Sequence, residues 1–207
     1  MNLAVRYNIS NKTRYITRIA ILAGLIIIMA FTPLGYLRIG VISISFLALP
    51  VAIGGILLGP KGGAILGGVF GLTSFIQCFG IDAFGVMLMG INPVGTFIMC
   101  VVARVMMGWC SAMIFRLLRN VRPGIIAYMV SSVSAALLNT AFFVGMLLLF
   151  FGNNSEVQEF MGVKRVIDFL PILLTFNALI EAAVCLVAGT AVAKLLSAAL
   201  PELKPED

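Results

Sequence analysis

Residues 125–151, IIAYMVSSVSAALLNTAFFVGMLLLFF, run without a single charged side chain. A helix needs about 20 consecutive apolar residues to cross the hydrocarbon core of a bilayer. Inside lipid every backbone N–H and C=O must find its partner within the segment, so a run of this kind is helical. This stretch therefore predicts a membrane-spanning helix.

The composition of the whole chain agrees with that prediction. Hydrophobic residues make up 61% of the 207 positions and charged residues 11%, whereas soluble domains carry about a quarter charged residues. A chain this apolar cannot cover itself with polar surface, so lipid must be its solvent. We therefore exclude a soluble fold.

The same criterion, applied outward from residues 125–151, predicts five further spans. The fold class is an all-α membrane protein with six transmembrane helices, which form a single transmembrane domain over residues 1–207. The predicted helices cover about 15–34, 42–58, 64–79, 92–118, 125–151 and 169–196. Residues 59–63, GPKGG, predict a tight turn, and residues 80–91 are too short to span, which predicts a loop or an interfacial segment. Gly67, Gly68 and Gly71 predict close helix packing.

The basic residues orient these helices. An even number of spans places both termini and the second and fourth connections on one side of the membrane. That side holds Arg6, Lys12, Arg14, Arg18, Lys61, Arg116, Arg119, Arg122, Lys194 and Lys204. The other side holds Arg38, Lys164 and Arg165. Because cytoplasmic loops are enriched in Lys and Arg, both termini are predicted to be cytoplasmic.

Several classes of function are excluded. The chain has no histidine, no CxxC pair and no phosphate-binding glycine motif. We therefore expect no catalytic residue, no metal site and no cofactor, and the scattered basic residues argue against nucleic acid as a partner. Cys78, Cys100, Cys110 and Cys185 lie singly in apolar segments and are expected to be reduced packing residues.

Two ionisable residues, Arg104 and Glu181, lie deep inside predicted spans, where a charge is costly and is a functional candidate by default, and Asn139 and Asn177 are their uncharged companions. At about 1.5 Å per residue, Arg104, Asn139 and Glu181 each lie roughly 18 Å below the outer ends of their helices, and Asn177 roughly 12 Å. The sequence therefore predicts one polar layer near mid-membrane. Two interpretations are open: Arg104 and Glu181 pair to hold helices together, or they line a pocket in which Arg104 binds a substrate carboxylate.

Several motifs resemble those of one membrane protein family, the substrate-binding S components of energy-coupling factor (ECF) vitamin transporters. The motifs are residues 32–35 (TPLG), 49–64 (LPVAIGGILLGPKGGA), 70–74 (FGLTS), 92–93 (NP) and 104–108 (RVMMG). The chain is most similar to the pantothenate-type branch, near the folate and riboflavin branches. Leu49 stands where pantothenate-type members often have histidine.

The resemblance implies a small subunit of the bacterial cytoplasmic membrane that captures a vitamin from outside. It implies two kinds of partner: a coupling transmembrane subunit, packed against Ala20 and Gly24, and two ATPase subunits. The same small residues are compatible with packing inside the bundle. The connection around 36–45 and the loop bearing Asp82 would close over the ligand.

The expected vitamin is pantothenate, bound by a polar set of side chains. The candidate substrate-binding residues are Arg104, Asn139, Asn177, Glu181, Gln77 and Asn92. Three alternatives are an S component for folate or riboflavin, a standalone ion-coupled permease for a small organic solute, and a purely structural membrane protein. An intramembrane enzyme is disfavoured because the chain lacks histidine and clustered acids.

Overall fold

A computed structural model describes residues 11–39, 42–121, 125–169 and 178–199 of the chain. Within these residues, four helical stretches are long and apolar enough to cross a membrane. They are Lys12–Ala30, Ala48–Gln77, Pro93–Arg119 and Ile125–Phe151. A shorter apolar stretch, Leu179–Val192, follows near the end of the described chain. The protein is therefore a multi-pass helical membrane protein.

The first helix is shorter at its end than predicted, and a β-hairpin follows it. Helix α1 spans Asn11–Ala30 rather than 15–34, because Pro33 disfavours helical geometry at the residue before it. Strands β1 (Tyr36–Ile39) and β2 (Ile42–Ser45) then pair antiparallel, with Tyr36 opposite Ser45. We call the end of the molecule that carries this hairpin the hairpin end.

The predicted helix start at residue 42 is wrong. Residues 42–45, Ile-Ser-Ile-Ser, alternate apolar and polar side chains with the period of a strand, and helix α2 begins at Ala48. Pro50 therefore lies in the first turn of the helix, where its missing N–H would have no intrahelical acceptor.

Helix α2, Ala48–Gln77, reverses direction at one glycine. Gly59 has φ 76° and ψ −174°, a backbone conformation that residues with a Cβ rarely adopt. Pro60 is the first residue of the helical arm that follows. The arms 48–58 and 60–77 then pack together, since the side chain of Leu66 occupies the space beside Gly54. The tight turn predicted from residues 59–63 is confirmed.

A glycine stripe on the second arm of α2 lets the next long helix approach closely. The stripe consists of Gly63, Gly67 and Gly71. In the same order, these face the backbone of Gly108, Arg104 and Cys100. A Cβ at the third stripe glycine would lie 2.7 Å from the facing carbonyl oxygen, and the other two positions are tighter. The close packing predicted from the glycines is confirmed for Gly67 and Gly71, and it holds the helix that carries Arg104.

That next helix has three parts, and a short helix that was not predicted precedes it. Residues 80–91 were predicted as a loop or interfacial segment, but Ala83–Ile91 form helix α3, whose N-cap Asp82 accepts the Gly85 N–H at 2.8 Å. Helix α4 (Pro93–Phe97), a π-helical turn (Ile98–Val102) and helix α5 (Ala103–Val121) follow without a break.

The remaining elements complete the bundle. Helix α6 is Ile125–Phe151, as predicted. The polar connection after it contains helix α7 (Ser155–Met161) and a 3-10 turn (Val166–Phe169). Of the predicted sixth span, residues 170–177 lie outside the described chain. The rest forms α8 (Leu179–Val184), a second π-helical turn (Cys185–Gly189) and α9 (Thr190–Ala199).

The two largest apolar clusters of the described residues fill much of the interior. One joins α1, α2, α5 and α6 around Ile26, Phe70 and Met107. The other lies at the hairpin end beneath α3 and α7, around Leu88 and Leu147. The α3 and α7 helices meet there through the rings of Phe84 and Phe160, whose centroids are 5.6 Å apart. In lipid the hydrophobic effect does not drive helices together, so packing contacts of this kind hold the bundle together.

Candidate binding site

Arg104 is buried at the start of α5, directly after the first π-helical turn, and is 7% exposed. Its Nη1 donates a 2.6 Å hydrogen bond to the carbonyl of Met99 inside that turn. The guanidinium carbon lies 5.4 Å from the centre of the Phe70 ring and 5.0 Å from that of Phe143. The aromatic faces stabilise a desolvated cation, so within the described residues a carbonyl and two rings, and not a carboxylate, hold the charge in place.

The guanidinium of Arg104 has hydrogen-bond donors that are not used within the described residues. An arginine side chain carries five N–H donors in a fixed planar fork. Within the described residues, the Nε of Arg104 is fully buried and has no hydrogen-bond partner. An unpaired buried donor on a charged group is costly, so this atom is suited to a bound acceptor.

Glu181 on α8 is 1% exposed and fastens the hairpin to the bundle. Its Oε1 accepts the backbone N–H of Ser45 at 2.7 Å, and its Oε2 accepts Nδ2 of Asn139 at 3.3 Å. Among the residues that the structure describes, no ion pair joins Glu181 to Arg104. The interpretation in which these two charges simply pair is therefore not what the structure shows.

The two charges are nevertheless near each other. Asn139, which contacts Glu181, and Phe143, which lies against Arg104, are four residues apart on α6 and share one face of it. Four residues rise by about 6 Å along a helix. The Oδ1 of Asn139 is also buried without a partner in the described part of the chain. One unsatisfied donor and one unsatisfied acceptor thus line the same region.

Two other predicted site residues have structural partners. The Nε2 of Gln77 donates to the carbonyl of Ala30 at 2.9 Å and so ties α2 to the end of α1. Asn92 caps α4, because its Oδ1 accepts the Gly95 N–H at 2.9 Å. Asn177 lies outside the described residues. The structure therefore brings Arg104, Asn139 and Glu181 to one region and gives Gln77 and Asn92 roles at helix ends.

The residues that surround this polar group were not predicted from the sequence. Phe143 could have been found from its spacing of four residues to Asn139. Ser45 could not, because the segment that contains it was predicted to be helical. Tyr36 on β1 also lies nearby: burial raises the pKa of its hydroxyl to about 12, and the positive charge of Arg104 partly opposes that rise.

This arrangement suits recognition of a small anion. A buried cation with aromatic walls attracts a carboxylate, and charge-assisted hydrogen bonds to guanidinium are among the strongest that proteins make. A neutral amide nearby can exchange hydrogen bonds with hydroxyl or amide groups. The oxygens of Glu181 accept hydrogen bonds from the Ser45 N–H and from Asn139, so these bonds take up none of the guanidinium donors of Arg104.

Two comparisons with known proteins give matches. A family model described as "ECF transporter, substrate-specific component" matches residues 14–192. The pantothenate transporter PanT of Leuconostoc mesenteroides subsp. mesenteroides is 30% identical to the chain over 183 residues, which cover 83% of this chain and 86% of the relative.

Proposed function

Because this chain belongs to the family of substrate-specific components of ECF transporters, we propose that it captures pantothenate for an ATP-driven vitamin importer. Members of that family are transporter components and not enzymes, and the chain is one of them. The 30% identical relative is a pantothenate transporter, which supports this vitamin over folate and riboflavin.

The observation that carries the proposal is the buried guanidinium of Arg104 with its unsatisfied Nε. Pantothenate is a small molecule with one carboxylate, one amide and two hydroxyl groups. Arg104 would bind the carboxylate, and Asn139 would bond an amide or hydroxyl group through its unsatisfied Oδ1. Asn177 is proposed to contribute to the polar end of the pocket, and Gln77 and Asn92 to position the helices that frame it.

The proposal places six spans in the bacterial cytoplasmic membrane with both termini in the cytoplasm. The reversal of α2 at Gly59 supports counting its arms separately. With α1, the helix from Pro93, α6 and the last helical segment, the arms make six. Lys61 beside the reversal and the basic end of α5 at Arg119 then lie on the cytoplasmic side, in agreement with the positive-inside rule.

The proposed partners are a coupling transmembrane subunit and two ATPase subunits, as the family implies. Ala20 and Gly24 on α1 would receive the coupling subunit. Ala20 is exposed, and a Cβ at Gly24 would meet nothing within 4 Å. The two positions are four residues apart and so leave a shallow strip on which a second helix can approach closely.

The hairpin and α3 would cover the bound vitamin. The hairpin is held by Glu181 through the Ser45 N–H, and α3 is held against α7 by the Phe84 and Phe160 rings. Opening of these two contacts would admit the ligand, and their closure would retain it.

A thermal-shift screen of the purified protein against water-soluble vitamins tests the proposal. A ligand at about 100 times its Kd raises the free energy of unfolding by about 2.7 kcal/mol. Pantothenate should raise the melting temperature, and folate and riboflavin should not. A shift with folate or riboflavin alone would reassign the substrate. Uptake into proteoliposomes that lack ATPase subunits would instead indicate a standalone permease.

A further inference from the structure

Two cysteines from different helices meet at the hairpin end. Cys78 follows the last residue of α2, and Cys100 lies in the π-helical turn before α5. Their Sγ atoms are 3.9 Å apart, and both side chains are free thiols, 5% and 2% exposed. The Oγ of Ser74 is also 3.9 Å from the sulfur of Cys100.

This pair is joined directly to the parts that hold Arg104. Met99 is the residue before Cys100, and its carbonyl accepts the hydrogen bond from the Arg104 guanidinium. On the other side of the pair, Cys78 lies under the start of α3, where its sulfur is the nearest atom to a Cβ built on Gly85. A change in the distance between the two sulfurs would therefore affect the positions of both Arg104 and the start of α3.

We propose that Cys78 and Cys100 form a reversible disulfide that weakens ligand binding at Arg104. A disulfide requires an S–S distance of about 2.0 Å, so the sulfurs must approach by about 1.9 Å. Cys100 is carried by the π-helical turn, and the proposed closure of the disulfide shifts that turn. The Met99 carbonyl moves with that turn and draws the guanidinium away from its present position.

A low-molecular-weight disulfide is the oxidant for the formation of the protein disulfide. One cysteine thiolate attacks a sulfur of that reagent, forms a mixed disulfide and releases one small thiol. The second cysteine thiolate then attacks the mixed disulfide, closes the protein disulfide and releases the second small thiol. The two protein thiols lose two electrons and two protons, and the reagent gains them.

The expectation that an oxidant meets this pair rests on the proposed function, which places the hairpin end outside the cytoplasm. Disulfides persist on that side of a bacterial membrane and are reduced in the cytoplasm. A test of disulfide formation with an added oxidant does not depend on that placement.

Counting thiols by intact mass tests the disulfide. The full-length protein is reduced, treated with oxidised glutathione or diamide, unfolded and labelled with N-ethylmaleimide. The chain has four cysteines, so the label count should fall from four to two and return to four after reduction. In the matched control Cys110→Ser, the label count should fall from three to one. In Cys78→Ser and in Cys100→Ser it should stay at three. An unchanged count in the wild-type protein, or an equal loss in Cys78→Ser, would overturn the proposal.

Pantothenate binding to the oxidised and reduced forms tests the consequence. Loss of one charge-assisted hydrogen bond predicts binding about tenfold weaker or more after oxidation, and no change in Cys100→Ser. Equal affinity of the two forms for pantothenate would show that the disulfide does not weaken binding. If pantothenate does not bind the reduced protein, the proposed function fails instead, and the label count still decides whether the disulfide forms.

Discussion

At the scale of single residues, Arg104 shows how a charge is tolerated at membrane depth. A guanidinium in hydrocarbon is expensive, and here the Met99 carbonyl and the Phe70 and Phe143 rings offset part of that cost. They leave the buried Nε unsatisfied in the described residues. A residue kept only for helix association would be expected to satisfy its donors, so this one is better explained by a ligand.

Glu181 yields the first prediction. Glu181→Ala should lower the free energy of unfolding by about 1.5–3 kcal/mol, because the Ser45 N–H loses a charged acceptor in a buried site. Hydrogen exchange at the backbone of residues 42–45 should speed up. Glu181→Gln keeps an acceptor oxygen and is the control, for which we expect a smaller effect on both measurements. If exchange in the hairpin is the same in all three proteins, Glu181 does not fasten it.

At the scale of elements, the glycine stripe fixes where Arg104 stands. Gly67→Ala places a methyl group against the Arg104 carbonyl and should cost about 1–3 kcal/mol of stability through overpacking. Gly145→Ala on α6 is the matched control: a Cβ there meets nothing within 4 Å, so it should stabilise the helix by up to about 1 kcal/mol. Thermal unfolding in detergent measures both. A neutral Gly67→Ala would show that the close contact is not needed.

The same elements show what the sequence could and could not predict. Long uncharged runs and the spacing of Gly67 and Gly71 predicted the long helices and their close packing, because lipid imposes those patterns directly. Residues 42–45 were wrongly assigned to a helix, since two alternations are too few to fix a period, and the short helix at 83–91 was not resolved within the predicted loop or interfacial segment. The bond between Ser45 and Glu181 joins residues 136 apart in sequence. No local pattern encodes such a contact, so the anchoring of the hairpin was not predictable.

At the scale of the whole molecule, orientation can be tested with two exposed lysines. In a cysteine-free background, Lys164→Cys should react with a membrane-impermeant maleimide on intact cells. Lys61→Cys should react only after the cells are permeabilised. The two residues lie on opposite sides in the proposed topology, so the reverse pattern would contradict cytoplasmic termini.

Coupling to the partner subunits gives a second prediction at this scale. The double variant Ala20→Leu, Gly24→Leu should reduce pantothenate uptake in cells at least about tenfold, because bulky side chains prevent the close approach of a partner helix. Binding by the purified subunit should not change. Ile21→Met, at an α1 side chain that is 66% exposed, is the control and should transport normally. Loss of binding together with uptake would show instead that α1 packs within the bundle.

Calorimetry with pantothenate and pantothenol decides whether Arg104 binds the carboxylate of pantothenate. Pantothenol has an alcohol where pantothenate has the carboxylate and is otherwise the same molecule. The wild-type protein should prefer pantothenate by about tenfold or more, as a charge-assisted hydrogen bond implies, and Arg104→Ala should bind both ligands equally weakly. Equal binding of the two ligands by the wild-type protein, or a preference that survives in Arg104→Ala, would contradict the account.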